Sequence, residues 1–197
     1  MRVIAGTQKG RRLKTPMGNR VRPTSERVRE ALFSILDSRI TQARVLDLCC
    51  GTGTIGLEAI SRGASHVVFV DQHPDSLQLL RDNLKRCGNP KGTVVISSDA
   101  WQVAHQPQFL HYAPYDIIFV DPPYQDQEIE RLVCTMGAEQ VLSHDGVMIV
   151  EHFWKTCLPQ EVGRLQQTRQ SRYGDTILTF FQQSLHSHAN RRLSGNV

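Results

Sequence analysis

Val45-Leu46-Asp47-Leu48-Cys49-Cys50-Gly51-Thr52-Gly53-Thr54-Ile55-Gly56 decides the fold. Its first five residues form a short apolar run of strand length, and Gly51, Gly53 and Gly56 fit the pattern G-x-G-x-x-G. A strand that turns into a helix through such a loop opens a nucleotide-binding βαβ unit. The glycines permit a tight turn and let a ligand approach the backbone closely. The helix is expected to run to about Arg62 and to stop at Gly63. The pattern is shared by NAD, FAD and S-adenosylmethionine proteins, so alone it names no ligand.

Outward from this unit, strands and helices alternate. Residues 66–71 read as a second strand, and Pro74 opens a helix with Leu77, Leu80, Leu84 and Cys87 inward and Arg81 and Lys85 toward water. Further strands are expected at 93–96, 116–120 and 147–150, with a helix over 128–137. Two consecutive strand candidates, 164–172 and 176–181, are joined around Tyr173-Gly174-Asp175. Runs buried on both faces and separated by helices imply a parallel doubly wound sheet, and consecutive strands imply an antiparallel edge hairpin. The expected fold is α/β and Rossmann-like, a seven-stranded, mostly parallel sheet with an antiparallel C-terminal edge hairpin.

Ahead of this domain, Val3-Ile4-Ala5, a turn over Gly6 to Gly10, and Arg11-Arg12-Leu13-Lys14 read as a small β-hairpin arm ending at Pro16. Gly18-Asn19 suggests another turn. Thr24 or Ser25 suits the N-cap of a helix in which Val28, Ala31, Leu32, Ile35 and Leu36 recur at helical spacing. The expected organisation is a basic arm over 1–22, a catalytic domain over 23–183, and a polar, disordered tail over 184–197.

The charge is uneven. Residues 1–29 carry nine Lys and Arg against one acid, Glu26, whereas the other 168 residues carry fourteen bases and eighteen acids. A basic arm on a mildly acidic body suits phosphate binding, because each neutralised phosphate releases counterions. Arg2, Lys9, Arg11, Arg12, Lys14, Arg20 and Arg22 are the candidate RNA contacts; a solvated basic terminus is the plain alternative. Neither a signal peptide nor a membrane span is apparent, so a cytoplasmic protein, by default a monomer, is expected. The five cysteines include no C-x-x-C pair and read as reduced thiols. The eight histidines show no metal spacing, so no metal site is expected.

The chemistry concentrates at the ends of the predicted strands. Asp71 ends the second, where a carboxylate can accept hydrogen bonds from ribose hydroxyls. Asp47, four residues before Gly51, lies where methyltransferases keep an acid near the methionine end of S-adenosylmethionine, and favours that cofactor over NAD. Asp99-Ala100 follows the third strand and is placed for the adenine edge. Cys49, Gly51, Thr52, Gly53 and Gln72 complete the expected cofactor contacts. Asp121-Pro122-Pro123-Tyr124 follows the fourth strand. An exocyclic amine on a base is a poor nucleophile because its lone pair is delocalised into the ring. The Asp121 carboxylate and the Pro122 carbonyl can accept its two N–H groups and aim the lone pair at an activated methyl. Tyr124 can stack on an extruded base. Asp121, Pro122 and Tyr124 are therefore the expected catalytic residues.

The chain resembles the RsmD family of bacterial small-subunit rRNA guanine-N2 methyltransferases over about residues 1–182. The likeness rests on Met1-Arg-Val-Ile-Ala-Gly6 with Lys9-Gly-Arg-Arg-Leu13, on Arg22-Pro-Thr24 with Arg27-Val-Arg-Glu-Ala-Leu-Phe33, on Leu57-Glu-Ala-Ile-Ser-Arg-Gly-Ala64, on Asp121–Tyr124, and on Arg172-Tyr-Gly-Asp-Thr176. It implies a class I methyltransferase fold and N2-methylation of one guanine in 16S rRNA, with the assembled 30S subunit as substrate. It also implies that Arg22, Thr24 and Arg27 lie near the cofactor. The glycine loop departs from the family, which more usually has Phe-Ala where Cys49-Cys50 stands. Without the resemblance, an adenine-N6 or other amino-methyltransferase, an NAD-dependent oxidoreductase and a non-catalytic RNA-binding assembly factor all stay open.

Overall fold

The strand run at the head of the glycine loop is β1 (Arg44–Leu48), and it pairs in parallel with β2 (His66–Asp71), Val45 opposite Val67 and Leu48 opposite Val70. Apart from Asp47, both strands are apolar through their centres because helices cover both faces of the sheet. The structure is a computed structural model that describes residues 1–16, 24–122, 126–138 and 141–184. Arg20, Arg22, Tyr124, the Gly18-Asn19 turn and the tail beyond Ser184 lie outside the described residues.

In chain order the elements are α1 (Glu26–Leu36), β1, α2 (Thr54–Ser61), β2, α3 (Pro74–Arg86), β3 (Thr93–Ser97), α4 (Pro107–Leu110), β4 (Tyr115–Val120), α5 (Asp126–Ala138), β5 (Leu142–Phe153), β6 (Glu161–Val162), β7 (Leu165–Tyr173) and β8 (Thr176–Gln183). They form one sheet in the order β3-β2-β1-β4-β5-β8-β7-β6. The first five strands are parallel, and β8, β7 and β6 continue antiparallel. Among the described residues the sheet thus has eight strands where seven were expected. The extra one, β6, is two residues long and holds a single apolar position, Val162, too little for periodicity to reveal.

Alternation along the strands splits the core into two layers. Val45, Phe69, Ile117, Phe119 and Ile149 pack with Leu32, Phe33, Ile55, Leu57 and Leu80 from α1, α2 and α3. Leu46, Leu48, Val68, Ile118 and Val120 pack on the other face with Phe109, Ile129, Leu132 and Met136. From β1 the chain builds outward in one direction to β3, then returns to place β4 on the other side of β1. This reversal opens a crevice at the carboxyl ends of β1 and β4, the ligand site of open α/β sheets.

The N-terminal segment is stitched to this body. Arg2 bridges Arg12 in antiparallel fashion, and the Leu13 amide donates to the Met1 carbonyl at 2.9 Å. Val3 and Leu13 are buried in the first core layer. Glu58, fully buried in α2, accepts the amides of Ile4 and Ala5 at 2.7 and 3.0 Å and Arg62 Nε at 2.7 Å. Asn83, buried on the inner face of α3, accepts the Lys14 amide at 2.7 Å and donates to the carbonyls of Lys14 and Thr52. One side chain therefore ties the hairpin to the glycine loop.

Candidate active site

Ser25 caps α1, its hydroxyl accepting the Val28 amide at 3.3 Å. That leaves the buried Thr24 hydroxyl to reach across the carboxyl edge of the sheet. Thr24 Oγ1 lies 2.9 Å from Glu151 Oε2 and 3.5 Å from Asp121 Oδ2. Asp121 follows β4 directly, and its amide donates to the Leu48 carbonyl at 3.3 Å, which fixes the strand exit beside β1. Pro122 behind it is buried. Burial raises the Asp121 carboxyl well above its ordinary range, and the charges of Glu151 and then Asp47 add to the rise. Burial likewise pushes Glu151 up to about 7, against the Thr24 hydrogen bond that favours its ionised form.

The glycine loop stands on the other wall. Cys49, Gly51 and Gly53 all have positive φ, of 59°, 53° and 77°. A Cβ on Gly53 would lie 2.3 Å from Leu80 Cδ1, and one on Gly56 2.3 Å from Phe69 Cε1, so these two glycines serve helix–sheet packing. A Cβ on Gly51 meets nothing within 4 Å, so this position faces open space. Asp71 accepts the Gly51 amide through Oδ2 and the His73 amide through Oδ1, both at 2.8 Å. It thereby fixes the loop and the start of α3 together. Asp47, buried in β1, accepts the Gly56 amide at 2.9 Å in the first turn of α2, and burial lifts its carboxyl to about 8. Asp99 accepts the Trp101 amide at 2.7 Å, and Ala100 is buried beside it. Thr52 is buried and Gln72 exposed.

These residues, scattered from 24 to 151 in sequence, meet at one place. Burial foremost, and then the charges of Asp71, Asp121, Asp47 and Asp99, drive the Cys49 thiol far upward, so all four aspartates bear on a single point. Sequence reasoning missed Glu151. A lone acid within a strand carries no signal until its partner, Thr24, is known. His152 beside it is buried and satisfied, with Nε2 2.7 Å from Thr179 Oγ1, in keeping with a structural role.

Among the described residues, the basic candidates of the arm make their contacts away from Asp121. Arg11 donates to the carbonyl of Arg86 at the end of α3, and Lys14 Nζ lies 2.6 Å from Asp82. Arg2 sits 3.7 Å from Glu26, while Lys9 and Arg12 are exposed without ion pairs among the described residues. A second feature that sequence reading passed over does lie at the carboxyl edge. Phe153 and Trp154 are 49% and 39% exposed, and the Lys155 ammonium and Arg172 guanidinium stand 5.4 and 4.8 Å from the Trp154 ring centroid. The Trp154 amide donates to the Asp175 carbonyl at 2.9 Å, which joins this patch to the β7–β8 turn.

A doubly wound sheet closed by an antiparallel hairpin, with an acid-lined glycine loop facing Asp121-Pro122 across the switch point, defines a Rossmann-like class I methyltransferase. A family model described as "Conserved hypothetical protein 95" matches residues 1–182. The Bacillus subtilis protein named "Putative rRNA methyltransferase YlbH" is 36% identical over 92% of this chain and 98% of its own length. "Ribosomal RNA small subunit methyltransferase D" of Escherichia coli is 33% identical over 81% of this chain and 78% of its own. The solved structure "Putative methyltransferase yhhF from Escherichia coli" superimposes with a TM-score of 0.81 at 30% identity, covering 93% of this chain and 98% of the other. The chain belongs to the RsmD family.

Proposed function

We propose that this chain transfers a methyl group from S-adenosylmethionine to the exocyclic N2 of one guanine in 16S rRNA, presented by the assembled 30S subunit. At the coarser level it is an S-adenosylmethionine-dependent rRNA methyltransferase. The observation that carries the reading is the exit of Asp121-Pro122 from β4 at the switch point, tied by the Asp121 amide to the end of β1 that leads into the glycine loop.

The residues fit the cofactor. Asp71 can accept ribose hydroxyls alongside the two amides it already holds, Asp99 and Ala100 stand at the neighbouring strand end, and the space over Gly51 admits a ligand against the backbone. The concentration of carboxylates, with Asp47 beneath the loop, favours a cationic ligand end. When bound, S-adenosylmethionine supplies a methyl group activated by its sulfonium charge. Asp121 and the Pro122 carbonyl accept the two N2–H groups of the base, turn the nitrogen lone pair toward that methyl, and favour the positive charge that develops on nitrogen. With the methyl moved from the sulfonium sulfur to N2 and the thioether left behind, N2 would be cationic, and Asp121 would take the proton it loses. Tyr124, next in the tetrapeptide, is assigned the stacking of the extruded base.

The Phe153–Trp154 patch with its two cations supports RNA at the same edge. Exposed aromatics stack on unpaired bases, and adjacent Lys and Arg neutralise phosphates. The arm's exposed cations, with Arg2, Lys9 and Arg12 foremost, are assigned to more distant phosphates, and Arg20 and Arg22 to RNA contact with them. Transfer of labelled methyl to hypomethylated small subunits tests the reaction. Asp121→Ala tests the site: transfer is lost while S-adenosylhomocysteine affinity stays within a few-fold, and equal loss of both makes Asp121 structural.

A further inference from the structure

We infer that Glu151 is a specificity-determining residue whose carboxylate accepts the N1–H of the target base, so that the site selects a guanine edge over an adenine edge. The inference rests on the guanine-N2 reading above.

Adjacency is the first observation. β4 and β5 are neighbouring parallel strands with Val120 opposite Val150, so Asp121 and Glu151 are the next residues on each and stand side by side where β4 ends, Glu151 held in place by its pairing with Leu178 of β8. Guanine presents two adjacent donor groups on its Watson–Crick edge, N2–H₂ and N1–H. Two adjacent carboxylates match them one to one, with Asp121 on N2–H₂ and Glu151 on N1–H.

Partnering is the second. Glu151 Oε2 accepts the Thr24 hydroxyl at 2.9 Å. No Lys or Arg pairs with Glu151, and Oε1 accepts no hydrogen bond, among the described residues. Glu151 is half-buried, so its carboxylate is held in place by the Thr24 hydroxyl and not by a cation. Thr24 has a single hydroxyl hydrogen, so it cannot satisfy both carboxylates. The hydroxyl fixes the orientation of Glu151, and Oε1 is the acceptor left for a ligand donor.

The discrimination follows from the bases. Adenine also carries an exocyclic amine, which Asp121 and Pro122 accept as readily. Its N1, however, is a lone pair, and against a carboxylate oxygen it gives repulsion in place of a hydrogen bond. A site that rejects one partner by setting like against like gains specificity that a uniformly attractive site lacks.

The test replaces the target guanine, in small subunits reconstituted with synthetic rRNA, by 2-aminopurine. This base keeps the 2-amino group and lacks both N1–H and O6. The wild-type enzyme is expected to prefer guanine by on the order of 100-fold or more in kcat/KM, as sites built around a substrate N–H reject analogues lacking it. Glu151→Gln offers an amide N–H to the bare N1, so the guanine preference should fall about tenfold or more. S-adenosylhomocysteine affinity should not change. Loss of O6 is common to both enzymes and cancels in that comparison. Equal wild-type rates on the two bases overturn the inference without any variant, as does an unchanged preference in Glu151→Gln. Should that variant turn over neither base, the ratio of its binding constants for the two subunits is read in place of the rates, with the same two outcomes. Product digests of the wild-type reaction separate the two levels: methyl on any atom other than guanine N2 contradicts the function proposed above, and the inference with it.

Discussion

The Thr24 hydroxyl stands 2.9 Å from Glu151 Oε2, joining residues 127 positions apart across the carboxyl edge of the sheet. Ser25 takes the helix cap, so Thr24 has no local role to fill. Thr24→Val removes the donor from a half-buried carboxylate, which is expected to cost about 0.5–1.5 kcal/mol. Thr24→Ser keeps the hydroxyl and should recover most of it. Urea unfolding of the three proteins reads both values; equal stability of Val and Thr would show that the contact contributes nothing.

The same contact sets a pH dependence. Burial holds Glu151 at about 7, and burial together with the Glu151 charge raises Asp121 well above the ordinary carboxylate range. Both carboxylates accept hydrogen bonds from the base in their ionised forms, so kcat/KM should climb as pH rises through neutrality. The Thr24 hydrogen bond lowers both acids, so the limb in Thr24→Val should move to higher pH. A wild-type profile flat from pH 6 to 8 contradicts this.

Stability should run the other way. Asp47 titrates at about 8 in the folded chain because it is buried, and at an ordinary carboxylate value when unfolded. Between those values the folded state binds the extra proton. The stabilising contribution is therefore present at acid pH and is lost as pH rises from roughly 4 toward 8. Asp47→Asn keeps an acceptor for the Gly56 amide and removes the titration. Thermal melts without cofactor should show the variant gaining on wild type, by on the order of a few kcal/mol, as pH rises to 9. Its S-adenosylhomocysteine affinity should fall. A constant gap between the two proteins across pH would contradict the account.

The glycines of the loop separate packing from binding. Gly56→Ala drives a methyl into the Phe69 ring and should cost about 1–3 kcal/mol of stability. Gly51→Ala has room in the chain and meets only the penalty of a positive φ, about 1–2 kcal/mol. It should weaken cofactor binding more than Gly56→Ala does. Calorimetry with S-adenosylhomocysteine, set beside urea unfolding, reads the contrast; the reverse order of affinities would show that Gly51 does not face the ligand.

How far the sequence discloses this site depends on how local each signal is. The glycine loop, Asp47, Asp71 and Asp121 were legible because each sits at a fixed offset from an apolar strand. The helical spacing on α3 marked Leu77, Leu80 and Leu84 as inward, but could not show that Asn83 shares that face, since its role exists only once Lys14 and Thr52 are beside it. Glu58 looks like an ordinary helix acid until the amides of Ile4 and Ala5 close on it. The pairing of Thr24 with Glu151 depends on strand order, which no local pattern encodes.

The aromatic patch predicts a particular RNA response. Trp154→Ala should weaken RNA binding by about 1–3 kcal/mol, the usual contribution of one stacked base. Lys155→Ala should lower the salt slope by about one phosphate's worth of counterion release. Fluorescence titrations at several salt concentrations measure both. An unchanged slope together with an unchanged affinity would remove the patch from the RNA surface.

The central claim is the identity of the methylated atom. Hypomethylated 30S subunits, incubated with this protein and labelled S-adenosylmethionine and then digested to nucleosides, read it directly. N2-methylguanosine at a single 16S rRNA position is the predicted product; label on adenine, on another atom of guanine, or in no nucleoside at all contradicts the account.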